Sequence, residues 1–435
     1  MTVGAAIILA TARDASGTPA ALLRIGGETL LERHGRTLLL AGVREICVVH
    51  APGTIPERHL GGLRGLGLTV HGIPLRASRI DQSALPPALR QCEILVTDAS
   101  LLLDRRFPKL LAARGGEGVC LLPAASLAPL DRERLGTLPL PGEARVFSGC
   151  ALLRADSVAG LDLSDRRAFS AGAATLVGKD PGLAVDLPAT PPYDPDQKAR
   201  IPWMLLAAND SEDDPRGTRL LLAAARKETL DWPALYIHRP VEDWIVARIC
   251  RWPVTPNQLT FATNALAFPA AWLFASGRFG AGLALALVVG ILDGLDGKQA
   301  RVKLIFSPMG HWEHFLDKLY ENAWWVGIAW HLAETSGRWA WIALAIFVGS
   351  NLLDLAVTGA FRARWGVQLD DAGPFERRFR LVAGRRNTYI WTFAPFVLSG
   401  ARAAGFAVLA GYAAISLTIR CWRAIAARPA PRAPR

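Results

Sequence analysis

Four carboxylates stand out in the stretch 293–321, DGLDGKQARVKLIFSPMGHWEHFLDKLYE. Asp293 and Asp296 are three residues apart and Glu313 and Asp317 four, spacings that put each pair on one face of a helix. Gly297 and Arg301 fall on the face of the first pair. Two helices presenting acidic pairs to each other make a hard-oxygen site that suits Mg²⁺ or Mn²⁺, and two such ions could neutralise a pyrophosphate. Gly297 would leave room for a ligand against the backbone. The surroundings make these residues costly: a charge at the centre of a spanning helix costs about 2.5–3.5 kcal/mol even on insertion scales, so such groups normally face a polar cavity. The plainer alternatives are acidic helix ends paired with Arg301 and Lys318, or an ion-transport site.

The elements that must position these residues are helices of a membrane body. The chain of 435 residues is 51% hydrophobic, and the excess is concentrated in apolar segments near 258–276, 279–300, 311–333, 337–360, 387–400 and 403–420. A spanning helix needs about 20 apolar residues, which the first four reach; the last two are short or marginal. Ser399, Gly400 and Arg402 suggest a hairpin between the last two, with one long kinked helix as the alternative. Arg301, Lys303, Arg362, Arg385, Arg386 and the arginines after Arg420 fall on one side of a six-span reading, and only Arg278, Arg338 and Arg402 on the other. This bias places both termini and the acidic site in the cytoplasm, at the inner (cell) membrane. It also accounts for much of the net charge of +11 without nucleic acid. No signal peptide is evident at Met1. The six cysteines are scattered without metal-ligand spacing and read as reduced packing residues.

Residues 1–215 read differently. Apolar runs at 3–9, 45–49, 68–71, 93–97 and 118–122 alternate with amphipathic stretches such as ETLLERHGRTLLLAG, which predicts a layered α/β domain with a largely parallel sheet. Pro and Asp crowd 186–216 and end it. Residues 216–254 form a linker in which IHRPVEDWIVARICRW predicts an amphipathic helix at the bilayer surface. The membrane domain then covers 255–423, and 424–435 is a basic, Pro-rich tail.

DGLDGKQAR, preceded by TPNQLT at 255–260, resembles the signature of the CDP-alcohol phosphotransferase family, D-x-x-D-G-x-x-A-R followed by G-x-x-x-D-x-x-x-D. The first half matches at Asp293, Asp296, Gly297, Ala300 and Arg301. The second departs, because counting from Gly310 puts His314 and Lys318 at the Asp positions. A shifted register supplies Glu313 and Asp317; another pairs Asp317 with Glu321. The resemblance implies transfer of a phospho-alcohol from a CDP-alcohol donor to the hydroxyl of a lipid or polyol-phosphate acceptor, with release of CMP. It implies two divalent ions on Asp293, Asp296, Glu313 and Asp317, with Asp317 also the base. Asn257, Gly297, Ala300 and Arg301 would line the CDP pocket, and a homodimer is expected. Arg385 and Arg386 would clamp an acceptor phosphate or simply anchor the loop.

The opening frame, with IGGETLLER and LAGVREICVV, looks like a sugar-phosphate nucleotidyltransferase. ATARDASG lacks that family's loop glycines and Ala20 stands where its Lys would be. Asp98, and Asp210 as a second, match its metal-binding positions. The head therefore reads as a degenerate relative, and the layout resembles fused inositol-1-phosphate cytidylyltransferase/di-myo-inositol-phosphate-phosphate synthases. The competing class is a membrane transporter or scaffold with an ion-binding helix pair and a regulatory head; an ion site has no need of the Ala-Arg that follows Asp-Gly.

Overall fold

The computed structural model describes residues 4–14, 16–194, 197, 199–208, 214–306 and 310–428, apart from the side chains of 310–314. The head is built on seven strands: β1 (Ala5–Ala10), β2 (Glu45–His50), β3 (Thr69–Pro74), β4 (Glu93–Asp98), β5 (Gly118–Pro123), β6 (Arg145–Arg154) and β7 (Ala184–Asp186). Their order across the sheet is β7-β5-β6-β4-β1-β2-β3. All pairings are parallel except those of β6, which runs antiparallel to both β4 and β5. Ala6 and Ile8 pack in one layer and Ile7 and Leu9 in the other, so both faces are covered, as apolar central strands require. The largely parallel sheet expected from the alternation is present. The antiparallel β6 is an addition that the apolar runs do not announce.

Helix α1 (Leu30–Leu40) begins with a capping box, in which Thr29 and Glu32 satisfy each other's backbone amides. A second, two-stranded sheet of Leu101–Leu103 and Leu205–Ala207 closes the head. The linker follows as α2 (Pro215–Ala225), a π-helical turn at Ala234–His238 and α3 (Arg239–Ile249). Trp244 and Trp252 are exposed on this segment, and the Arg248 guanidinium lies 3.8 Å from the Trp244 ring centre. That face suits a headgroup layer.

Six long helices complete the chain: α4 (Pro256–Ala275), α5 (Phe279–Lys303), α6 (Gly310–Thr335), α7 (Trp339–Trp365), α8 (Arg386–Leu398) and α9 (Arg402–Ala426). Among the described residues three of them, α5, α7 and α9, are long and apolar enough to cross a membrane. α8 has 13 residues, about 20 Å of helix, short of the ~30 Å hydrocarbon layer. The structure thus supports a membrane protein with three clear candidate spans, and a count of six stays a proposal. The chain breaks between Leu398 and Arg402, with Gly400 at φ +79°, and α8 packs against α9. This is the hairpin of the two alternatives.

Head, linker and membrane body share a core. Ile25, Leu30, Leu102 and Leu206 of the head pack with Leu221, Val246 and Cys250 of the linker and with Leu295 and Val302 of α5. Each such fully buried side chain contributes about 1.5–3 kcal/mol. The C-terminus of α5 is closed from the head: buried Arg33 donates to the Val302 carbonyl at 2.6 Å, a cation on an orphan helix-end acceptor. Gly27, at φ +81°, passes so close that a Cβ would stand 2.3 Å from the Cys250 carbonyl oxygen.

Candidate active site

The C-terminal turns of α5 carry Asp293, Asp296, Gly297 and Arg301; the N-terminal turns of α6 carry Asp317, Tyr320 and Glu321. α4 packs against both helices and ties them together. Its Thr260 hydroxyl donates to Asp296 Oδ2 at 2.7 Å, holding that carboxylate toward the cavity. Asp317 comes within hydrogen-bonding reach of Asp293 and feels the charge of Asp296. The three carboxylates line one chamber of about 760 Å³, together with Gly297, Arg301 and Glu321. That volume is in the range of small-molecule sites.

Two of the acidic residues have cationic partners. Arg386, the first residue of α8, pairs through its guanidinium with Asp293 and also bonds to the Tyr320 hydroxyl, which donates to Asp293 Oδ1 at 3.3 Å. Glu321 pairs with Lys318 at 2.9 Å. The side chain of Glu313 lies outside the described residues, and among those described no group of three acidic, His or Cys side chains closes into a metal cage. The donor set nonetheless fits a hard cation: three carboxylates converge on one polar chamber, and Arg386 already stands as a positive group on one of them.

Arg385 does not share its neighbour's partner. It donates to Asp370 Oδ2 at 3.0 Å, and Asp370 also accepts from Arg380 at 3.1 Å and Arg420 at 2.7 Å. Three arginines thus crowd one buried carboxylate, and Arg380, Arg385 and Arg386 line the chamber. Among the described atoms Arg420 Nη1 and the Nε atoms of Arg380, Arg385 and Arg386 have no hydrogen-bond acceptor. A wall with surplus donors and positive charge is suited to a phosphate.

Arg301 donates through Nε to the Ala225 carbonyl at 2.8 Å. Lys298 on the same helix is buried and pairs with Glu242 at 2.9 Å and Asp243 at 2.8 Å. The linker is thereby braced on the acidic helix. Gly294 allows this, because a Cβ there would stand 2.1 Å from the Glu242 carboxylate. Neither Asn257, exposed in the first turn of α4, nor Ala300 is among the described residues that line the chamber. Tyr320, Arg380 and Thr260 are further neighbours of the site; distance in sequence hid Thr260 and Arg380, whereas Tyr320, three residues from Asp317, carried no charge to draw notice.

In the head, Asp98 ends β4 as a buried residue whose Oδ1 accepts from the Ser100 amide at 2.9 Å. Its Oδ2 has no partner among the described atoms, and burial pushes the carboxyl above the usual carboxylate range. In the loop after β1, Asp14 Oδ1 accepts from the amides of Ser16 at 3.0 Å and Thr18 at 2.7 Å. Those are the kind of donors a phosphate loop offers its ligand. Asp210 lies outside the described residues.

Residues 253–419 match the family model described as CDP-alcohol phosphatidyltransferase. The chain is 28% identical over 225 residues to a bifunctional IPC transferase and DIPP synthase of Aquifex aeolicus (strain VF5), covering 49% of this chain and 50% of that protein; it spans about half the length of that relative. It is also 28% identical over 438 residues to a protein of the same description from Rubrobacter xylanophilus, covering 92% of this chain and 91% of the relative. Among solved structures, the inositol-1-phosphate CTP transferase of T. maritima aligns at 15% identity with a TM-score of 0.34, over 43% of this chain and 86% of that one. The matched stretch, residues 253–419, is the one that carries Asp293, Asp296 and Asp317 of α5 and α6, so the acidic chamber lies within the part of the chain that is similar to the CDP-alcohol phosphatidyltransferase family.

Proposed function

We propose that this chain is a membrane transferase that moves a phospho-alcohol group from a CDP-alcohol to an acceptor hydroxyl and releases CMP. The observation that carries the proposal is the convergence of Asp293, Asp296 and Asp317, from two helices of the matched domain, on one chamber with a cationic wall. The family match favours this over a transporter or scaffold.

In this reading Asp293, Asp296, Asp317 and Glu313 hold divalent cation, Mg²⁺ or Mn²⁺, with two ions as the expected number. Bound there, the metal supplies charge neutralisation of the diphosphate and stabilises the departing CMP. Gly297 and Arg301 bound the nucleotide end, with Asn257 and Ala300 assigned to it on the motif alone. The acceptor oxygen attacks the phosphorus that bears the donor alcohol, the bond from that phosphorus to the bridging oxygen breaks, and CMP leaves with that oxygen. Asp317 takes the acceptor's proton, which requires only that it lie within hydrogen-bond reach of that hydroxyl. Arg385 and Arg386 would receive a phosphate of the acceptor, for which Arg386 would give up its pairing with Asp293.

The head takes no part in the chemistry in this reading: the loop amides of Ser16 and Thr18 are engaged by Asp14, and Asp98 is buried. We place the protein in the inner membrane as a homodimer, with both termini and the chamber on the cytoplasmic side. The test is CMP release from a panel of CDP-alcohols by membranes carrying the protein. Asp317→Asn should lower the rate by about 10²–10⁴-fold, the usual contribution of a general base; unchanged release would overturn the assignment.

A further inference from the structure

The arginine wall of the chamber is not held by the membrane helices alone. Asp370, which accepts from Arg380, Arg385 and Arg420, sits in a 3-10 turn at Leu369–Asp371, in the connection between α7 and α8. Three guanidiniums gathered on one carboxylate repel one another, so they keep their places only while Asp370 keeps its own. The next residue, buried Asp371, reaches the other way. Its Oδ1 accepts from the Tyr193 hydroxyl at 2.6 Å, across 178 residues of sequence, a length expected of a hydroxyl on a charged acceptor. Among the described atoms Asp371 Oδ2 has no hydrogen-bond partner. Loss of the Tyr193 hydroxyl would therefore leave a buried carboxylate to find another partner by moving the turn.

Tyr193 belongs to the head and is itself anchored there. It lies in the segment after β7, where Asp194 and Ala199 pair backbone to backbone and the Trp203 indole donates to the Pro188 carbonyl at 2.8 Å. The linker adds a second tie to the same connection, because the Trp232 amide donates to the Leu381 carbonyl at 2.9 Å. Arg301 and Lys298, which key α5 to the linker, bond elsewhere, to Ala225 and to Glu242 and Asp243.

Resting on the transferase reading, we propose that the head sets the acceptor side of the chamber: Tyr193, through Asp371, fixes the turn whose Asp370 gathers Arg380 and Arg385 on the chamber wall. Tyr193 and Asp371 are positioning residues for a phosphate-bearing acceptor and touch neither the donor nor the acidic cluster. A head that performs no reaction thereby keeps a task in the membrane body.

The experiment uses the full chain in phospholipid nanodiscs with Mg²⁺ and follows CMP release with donor and acceptor varied separately. The donors are CDP-inositol, CDP-glycerol and CDP-dioleoylglycerol, and the acceptors inositol 1-phosphate and glycerol 3-phosphate. Tyr193→Phe and Asp371→Ala should each raise KM for the acceptor by about fivefold or more and leave KM for the donor within about twofold. Both remove the same contact, so Tyr193→Phe should add less than about twofold in an Asp371→Ala background. A variant that merely folds less well lowers the maximal rate and moves neither KM. A smaller rise in acceptor KM, an equal rise for the donor, or additive effects in the double variant would overturn the proposal. A second arm measures amide hydrogen exchange without substrate: Tyr193→Phe should speed exchange over 366–373 and leave 293–303 of α5 unaltered. Unaltered exchange at the turn would overturn the proposal as well. Absence of CMP release from every pair in the unaltered protein counts against the transferase reading, and the exchange arm still decides whether the head holds the turn.

Discussion

At the scale of single residues, the acidic cluster was legible because helical periodicity turns spacing into shared faces. Asp293, Asp296 and Asp317 line one chamber, and the side chain of Glu313, the fourth member of the two expected pairs, lies outside the described residues. What spacing could not supply is who holds them. Arg386 is 93 residues from Asp293 and Thr260 is 36 from Asp296, and no local pattern links such partners. The two neighbouring arginines look equivalent in AGRRNTYIW, yet one turns to Asp293 and the other to Asp370, since Arg386 opens α8 while Arg385 is its N-cap. This division has a consequence for the acceptor. Charge-assisted hydrogen bonds contribute about 1.5–3 kcal/mol, so Arg385→Ala should raise KM for a phosphate-bearing acceptor by about 10- to 100-fold with little change for the CDP-alcohol. Steady-state kinetics with the two substrates varied separately would check this; equal shifts in both would assign Arg385 to packing.

At the scale of elements, the long helices and apolar strands were readable to within a few residues, because each carries a sustained period. The antiparallel β6 and the π-helical turn at Ala234–His238 were not, since their placement follows from packing rather than pattern. Two elements carry predictions. Buried His34 of α1 accepts from the Thr97 hydroxyl at 3.1 Å and donates to the Leu101 carbonyl at 2.9 Å, a neutral tautomer, and burial pushes it down to about 4. With an unfolded value near 6.5, its contribution is complete above that pH and is lost as pH falls toward 4, because the unfolded chain then binds the extra proton. The window is worth on the order of 3 kcal/mol, so the head's Tm should fall between pH 7 and pH 4.5, and less so in His34→Gln. Gly27→Ala would push a methyl into the Cys250 carbonyl and strain a left-handed backbone. It should loosen the head from the membrane body, read as faster proteolysis of the 216–254 linker.

At the scale of the whole molecule, a mixed α/β head is joined to a helical membrane body through a shared core and the Arg33–Val302 contact. Composition disclosed the two bodies at once. Their attachment was hidden, because Ile25, Leu221 and Leu295 are ordinary apolar residues until the fold brings them together. On the proposed reading of a non-catalytic head, the CDP-alcohol comes from a separate cytidylyl transfer. Asp98→Ala should therefore leave transfer from supplied CDP-alcohol intact, and loss of transfer in a folded variant would give the head a catalytic part.

The most direct test of the account is CMP release by the purified full chain in lipid with Mg²⁺, comparing the unaltered protein with Asp296→Asn and Asp317→Asn. We expect each substitution to lower the rate by about 10²–10⁴-fold while the helical fold persists by circular dichroism. Release within about twofold of the unaltered rate in both variants, a free-energy change under about 0.5 kcal/mol, would contradict the placement of the chemistry at the paired carboxylates of α5 and α6.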